Sequence, residues 1–235
     1  MSWYVDFFRG DYQRVFSHDE ARSAVEAAFA RRVLGLGEGD RILDLCCGAG
    51  RHLRPLGAVG VDLHAPSLRG LPAARAEMRA LPIRSGSLHA VVSFFSSFGY
   101  LESDAEDERV LREIRRALRP DGCLFLDLLN REHALAGFVE VVQRQEPDGT
   151  LVVERRAFDA PRGRLSVGFV LVAPDGGQRE FPGHRLRLYT LTELRRMLER
   201  AGLALQAVYG GFDGTAYALD SPRMIAVATA SSPSR

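Results

Sequence analysis

Residues 42–51 constrain the fold of this 235-residue chain more than any other segment. Residues 42–45 (ILDL) form a short apolar run typical of a buried strand, and a glycine turn at 47–50 (CGAG) follows and opens a helix. Glycine lets such a turn approach a ligand closely, and the backbone N–H groups at the helix start face that ligand. This order of elements predicts a ligand site at one edge of an α/β sheet.

Strands and helices alternate on both sides of this turn. Apolar runs predict further strands at 58–63, 88–94, 123–129, 203–209 and 223–229. Helical spacing and caps predict helices from Ser17 to the glycines at 35–39, from Asp104 to Leu118, and at 192–201. The alternation indicates a mostly parallel sheet covered by helices.

Between residues 131 and 190 the pattern changes from helical to alternating. Segments 138–145, 150–158, 164–173 and 178–190 alternate apolar and polar residues and are separated by turn signals. We therefore expect an antiparallel insertion at 131–190 within a single domain of residues 1–235. Residues 1–16 are rich in aromatic side chains and are predicted to form a mobile lid, with permanent core as the alternative.

The amino-acid composition disfavours several kinds of partner and excludes some kinds of catalysis. The net charge is +1, from 31 basic residues, all of them arginine, and 30 acidic residues, which gives no support for nucleic acid or a membrane surface as partner. Apolar runs are too short to span a bilayer, and we expect no signal peptide. Three cysteines without a disulfide pattern favour a reducing cytoplasm. The absence of lysine excludes Schiff-base chemistry on lysine and a P-loop.

Two acidic residues strengthen the hypothesis of a cofactor site. Asp44 lies inside the predicted strand, where a buried carboxylate serves either the turn or a ligand; capping of the glycine turn alone is the alternative. Asp62 ends the next strand, 62 − 44 = 18 residues later, where a carboxylate can accept from both ribose hydroxyls. A nicotinamide dinucleotide site would have a third glycine where this chain has Leu53, which disfavours that cofactor.

With these features the chain resembles the class I S-adenosylmethionine-dependent methyltransferases. Five motifs match in order: 44–50, 61–62, 76–82, 88–93 and 111–126. The resemblance implies a Rossmann-like, mostly parallel, seven-stranded sheet with helices on both faces, here with the antiparallel β insertion. It also implies methyl transfer from S-adenosylmethionine to an oxygen or nitrogen of a small molecule. The chain departs from the family in its short stretch between Gly50 and Asp62 and in having glutamate at 77.

Residue roles follow from the resemblance. The glycine turn flanks the methionine part, Asp62 binds the ribose, Glu77 and the Met78 amide read the adenine, and a backbone carbonyl at Ser93 meets the amino group. The implied cofactor-binding residues are Asp44, Gly48, Ala49, Gly50, Asp62, Leu63, Glu77, Met78 and Ser93.

The acceptor site is less well defined by the sequence. No catalytic residue is assigned; the candidates are Tyr12, His52 and Tyr100. Aromatic residues at 94–100 are expected to contact ligand, and the insertion is expected to shape the acceptor site. We expect no metal, and a homodimer is left open. The alternative functions are an NAD(P)-dependent reductase and a catalytically silent cofactor-binding or interaction protein.

Overall fold

The computed structural model describes residues 7–8, 19–64 and 68–231. The chain divides into two compact units. The larger comprises His18–Ala134 and Tyr189–Arg235, and the smaller comprises Met1–Ser17 and Leu135–Leu188. Among the described residues, no helix combines the length and the apolar composition that crossing a bilayer requires.

Helices and strands follow one another as the sequence pattern indicates. In chain order they are α1 (Glu20–Leu34), β1 (Ile42–Leu45), α2 (Leu53–Leu56), β2 (Val59–Asp62), β3 (Ala73–Arg75), β4 (Leu88–Ser93), α3 (Asp104–Ala117), β5 (Leu118–Leu129), α4 (Arg131–Ala136), β6 (Val141–Gln145), β7 (Leu151–Asp159), β8 (Arg164–Val172), β9 (Gln178–Arg187), α5 (Leu191–Arg200), β10 (Leu203–Tyr209) and β11 (Arg223–Ala230).

The larger unit is built on a seven-stranded sheet in the order β10-β11-β5-β4-β1-β2-β3. All neighbours among β1 to β5 pair in parallel, whereas β11 pairs antiparallel with both β5 and β10. The predicted mostly parallel seven-stranded sheet is therefore confirmed. The direction of winding reverses between β1 and β4, and ligands bind outside the carboxyl ends of the strands at such a switch point.

Helix starts in the larger unit differ by one or two residues from the predicted ones. Asp19 caps α1 by accepting from the Ala21 amide at 3.0 Å, so the predicted cap at Ser17 was wrong. Ser103, not Asp104, caps α3. Serine and aspartate are equally good N-caps, so spacing alone does not choose between neighbouring candidates.

The smaller unit contains a four-stranded antiparallel meander in the order β6-β7-β8-β9. Its alternation is that of a half-buried sheet, because Leu165, Val167 and Phe169 of β8 are buried and the residues between them are only partly so. This confirms the predicted antiparallel insertion, although its last strand ends at Arg187 and not at residue 190.

Phe7, from the N-terminal aromatic segment, belongs to the core of this smaller unit. The Phe7 side chain is fully buried, with its ring centroid 6.5 Å from that of Phe169 and 5.0 Å from that of His184. Phe7 therefore matches the core alternative. Residues 1–6 and 9–16 of the predicted lid, with the candidate Tyr12, lie outside the described residues.

Candidate active site

The turn after β1 has a backbone that glycine favours. Gly48 and Gly50 have φ angles of 54° and 79°, a left-handed region that side chains rarely adopt, and Cys46 has φ 63°. A Cβ at Gly48 would have no described heavy atom within 4 Å, so the turn is open at that position. The glycines thus shape a turn whose backbone a ligand can approach.

Asp62, at the end of β2, fixes this turn from the side. Its Oδ2 accepts from the Gly48 amide at 2.9 Å, and its Oδ1 accepts from the His64 amide at 2.8 Å. Each carboxylate oxygen can accept a second hydrogen bond. Asp62 is therefore held rigidly beside the glycine turn with acceptor capacity left for a ligand.

Asp44 is a buried carboxyl group at the same strand edge. Its side chain is 1% exposed, and its Oδ2 has no hydrogen-bond partner among the described residues. Burial raises the pKa of Asp44 to about 8; the charge of Arg51 opposes this shift, and that of Asp62 adds to it. A cation or hydrogen-bond donor brought to this edge would stabilise the ionised form.

The segment after β3 lies beside the turn, because the Met78 Sδ is 4.0 Å from the Cys46 Sγ. The two oxygens of Glu77 accept from the backbone and the guanidinium of Arg79, and Arg79 also pairs with Glu106. The carboxylate predicted to read adenine is thus held in place by an arginine, which a ligand would have to share or displace.

The end of β4 continues the same edge. Ser93 is buried, and the Phe94 ring stacks on the His52 ring with centroids 3.9 Å apart. The ring of Phe98 packs against that of Tyr189, with the ring centroids 5.7 Å apart, and Tyr100 is half-buried. The aromatic residues after β4 therefore begin in direct contact with the residues that follow the glycine turn.

Glu26 of α1 joins the residues that follow the turn, and the sequence analysis did not identify it. Its buried carboxylate pairs with Arg51 and with Nε2 of His52, the latter at 2.9 Å. Burial would raise the pKa of Glu26, but the hydrogen bond from His52, the charge of Arg51 and the hydrogen bond from Arg22 outweigh it and lower the pKa to about 2. The available signal was an acidic residue on the same helix face as the apolar residues Phe29 and Ala30.

This network limits what His52 can do. Burial lowers the pKa of His52, so the ring is neutral at pH 7 and donates its Nε2–H to the Glu26 carboxylate. A base role would therefore fall to Nδ1. The clearest role of the pair is to tie the start of α2 to α1.

Replacing Glu26 by glutamine should lower the free energy of unfolding by about 2 kcal/mol, because it removes charge-assisted hydrogen bonds from a buried site. Urea unfolding measures this. Glu108→Gln is the control, because Glu108 pairs with Arg200 at the surface, where an ion pair contributes about 1 kcal/mol or less. Equal losses in the two variants would contradict a special role for the Glu26 network.

Comparisons with known proteins agree with this geometry. Residues 12–208 match the family model described as a methyltransferase domain. The chain is 30% identical over 189 residues to dTDP-3-amino-3,6-dideoxy-alpha-D-glucopyranose N,N-dimethyltransferase of Streptomyces fradiae, covering 74% of this chain and 73% of that protein.

Solved structures share the fold. The CcbJ methyltransferase from Streptomyces caelestis superposes with a TM-score of 0.82 at 22% identity, over 98% of this chain and 99% of that one. CalS10, an amino pentose methyltransferase from Micromonospora echinaspora solved with S-adenosylmethionine bound, gives a TM-score of 0.69 at 21% identity, over 94% and 97% of the two chains.

The parallel sheet, its switch point and the glycine turn define a class I methyltransferase fold. The chain belongs to the methyltransferase-domain family. It is an enzyme that uses S-adenosylmethionine to methylate an oxygen or nitrogen of a small molecule, as the resemblance implied. The reductase and the catalytically silent protein are thereby set aside.

Proposed function

We propose that this enzyme methylates the amino nitrogen of a deoxyamino sugar carried on a nucleoside diphosphate. The proposal depends on one relative, which is named for N,N-dimethylation of a dTDP-linked 3-amino sugar. This chain is 30% identical to that relative and covers 73% of the relative's length. The fold shared with a structure named as an amino pentose methyltransferase supports the same class of acceptor.

The methyl donor, in this proposal, lies across the carboxyl ends of β1 and β2. Gly48, Ala49 and Gly50 flank the methionine part, and Asp62 with Leu63 binds the ribose. The orphaned, buried oxygen of Asp44 supports this placement, because S-adenosylmethionine brings an ammonium and a sulfonium to an edge where a carboxyl group lacks a partner.

The adenine end of the donor lies towards β3, and the amino group of its methionine part lies towards β4. Glu77 and Met78 contact the adenine, and Ser93 approaches the amino group of the methionine part. The contact of Met78 with Cys46 in the turn and the position of β4 beside β1 support these assignments.

Bound S-adenosylmethionine supplies an already activated methyl group. The protein then has to hold the acceptor nitrogen in line with that methyl group and exclude water. It accelerates methyl transfer by orienting the reactants, and a strong base is not required. Tyr12, His52 and Tyr100 stay candidates for the catalytic group, and of these His52 already has one nitrogen engaged by Glu26.

The insertion at 131–190 is proposed to shape the acceptor site. It follows β5 in the chain, and the carboxyl end of β5 belongs to the ligand-binding edge of the sheet; this connection supports the assignment. Hydrogen exchange tests it: adding acceptor should slow exchange in β6 to β9, and exchange unchanged in all four strands would contradict it.

The substrate experiment uses labelled S-adenosylmethionine and dTDP-3-amino-3,6-dideoxy-alpha-D-glucopyranose. Mass spectrometry should detect one or two added methyl groups. The matched control is the same nucleotide sugar with a hydroxyl in place of the 3-amino group, which should stay unmodified. Methylation of the hydroxyl sugar, or of neither compound, would refute the proposed acceptor.

The finer location and partners stay predictions. A cytoplasmic enzyme is proposed because Cys46, Cys47 and Cys123 are all unpaired thiols. A homodimer stays an open alternative, and the absence of nucleic-acid and membrane partners is a prediction from the sequence alone.

A further inference from the structure

Two consecutive residues after β4 have an unusual backbone. Phe95 and Ser96 have φ angles of 57° and 58°, in the left-handed region, although neither is glycine. Such a backbone conformation is strained in a residue that has a side chain, and it persists only where the surroundings hold it. Residues 94–100, which we call the aromatic loop, therefore begin in a strained turn.

Asp127 of β5 fixes this turn with both its side chain and its main chain. Its Oδ2 accepts from the Phe95 amide at 2.8 Å, and its main-chain oxygen accepts from the Ser96 amide at 2.9 Å. Asp127 is only 3% exposed, so these hydrogen bonds are protected from water. Both left-handed residues are thus fixed by one residue of the neighbouring strand.

Arg223, the first residue of β11, completes the arrangement. Its Nε donates to Oδ1 of Asp127 at 2.6 Å, and its Nη2 donates to the Ser96 hydroxyl at 3.1 Å. The ion pair between Asp127 and Arg223 thus joins β5 and β11 to the residues that follow β4. These three parts of the chain meet at the carboxyl edge of the sheet.

Stabilisation of the fold does not by itself explain the ion pair between Asp127 and Arg223. Burying two charges carries a desolvation cost that well-packed apolar residues would avoid. The aromatic loop begins with Phe94, whose ring stacks on His52, two residues after Gly50. The loop is therefore attached to the residues after the cofactor turn on one side and to the ion pair on the other.

We propose that Asp127 and Arg223 are positioning residues that fix the aromatic loop as the wall against which the acceptor is aligned with the methyl group. The proposal rests on the proposed function for the identity of the acceptor. A displacement of about 1 Å in such a wall can lower turnover by about 100-fold, whereas the donor is held by other residues. The pair should therefore govern acceptor turnover and leave cofactor affinity unchanged.

The main test is Arg223→Gln, which removes the ion pair and the bond to Ser96 together. We expect kcat/KM for dTDP-3-amino-3,6-dideoxy-alpha-D-glucopyranose to fall at least about tenfold. The Kd of S-adenosylhomocysteine, measured by calorimetry, should stay within about twofold. Amide exchange at Phe95 and Ser96 should become faster, because the turn loses its support.

The matched control is Arg115→Gln. Arg115 donates to the carbonyls of Gly202 and Ser231, where β10 begins and β11 ends, at the opposite edge of the sheet. This variant loses comparable hydrogen bonds and should lose stability without a change in kcat/KM. Equal losses of kcat/KM in both variants would indicate a merely structural role and overturn the proposal.

A second variant covers the case in which Arg223→Gln does not fold. Ser96→Ala removes only the Arg223–Ser96 bond and leaves the ion pair intact, and it should lower kcat/KM about threefold. Turnover within experimental error of the parent enzyme in this variant would overturn the proposal, as would a matching loss of S-adenosylhomocysteine affinity.

Failure of the proposed function is distinguishable from failure of this inference. If the parent enzyme does not methylate the amino sugar, the proposed function fails and amide exchange decides the inference. Faster exchange at Phe95 and Ser96 with unchanged S-adenosylhomocysteine affinity would uphold it. Exchange unchanged in Arg223→Gln and in Ser96→Ala would overturn it.

Discussion

Asp62→Ala should weaken the binding of S-adenosylhomocysteine roughly 10- to 100-fold. The parent carboxylate accepts from the amides of Gly48 and His64 and has acceptor capacity left for the ribose hydroxyls. Alanine removes the proposed ribose contacts and also the hydrogen bond that fixes the turn at Gly48. A loss of charge-assisted hydrogen bonds of about 1.5–3 kcal/mol corresponds to this range of Kd.

Calorimetry measures the change, and two variants serve as controls. Asp62→Asn keeps the shape and one acceptor oxygen, so its loss should be smaller. Asp175→Ala removes a carboxylate that likewise accepts from a backbone amide, that of Gly177, in the turn between β8 and β9. It should leave the Kd unchanged. An unaltered Kd in Asp62→Ala would contradict the ribose assignment.

Asp44→Asn should stabilise the ligand-free enzyme at pH 8 and weaken cofactor binding. The pKa of Asp44 is raised from 3.8 to about 8 in the folded protein. Between these pH values the unfolded chain releases the proton and the folded protein keeps it, so stability falls as the pH rises from about 4 to about 8. Asparagine does not titrate and avoids this loss.

The stability gap between variant and parent should therefore be small near pH 4 and widen towards pH 8. Each unit of pKa shift corresponds to about 1.4 kcal/mol, so the gap reaches several kcal/mol and several degrees in Tm. Affinity for S-adenosylmethionine should fall at least about tenfold, because the neutral amide offers no charge to the ammonium or sulfonium. A difference in stability between variant and parent that does not change with pH would contradict the raised pKa of Asp44.

Local patterns in the sequence were sufficient for much of the fold. The apolar run at 42–45 and the glycines at 48 and 50 predict a strand and a tight turn because both depend on neighbouring residues only. The alternation in β8 predicts an antiparallel strand for the same reason. The last strand of the insertion ends at Arg187, three residues before the predicted end at 190, because Leu188 and Tyr189 continue the apolar character beyond β9.

The residues that the sequence did not reveal act across long distances in the chain. Glu26 meets Arg51 over 25 residues, and Asp127 meets Arg223 over 96. Neither contact follows from periodicity or spacing, because each depends on how separate elements pack. The left-handed turn at Phe95 has no local signal either, since the chain has no glycine there.

The most direct test of the account is a crystal structure of the enzyme with S-adenosylhomocysteine. We expect both ribose hydroxyls within hydrogen-bond distance of the Asp62 carboxylate, about 2.5–3.0 Å, and the methionine part over the turn at 48–50. We also expect the ligand's ammonium group on the side of Asp44. A ligand bound away from the carboxyl ends of β1 and β2, or a ribose without contact to Asp62, would contradict the account.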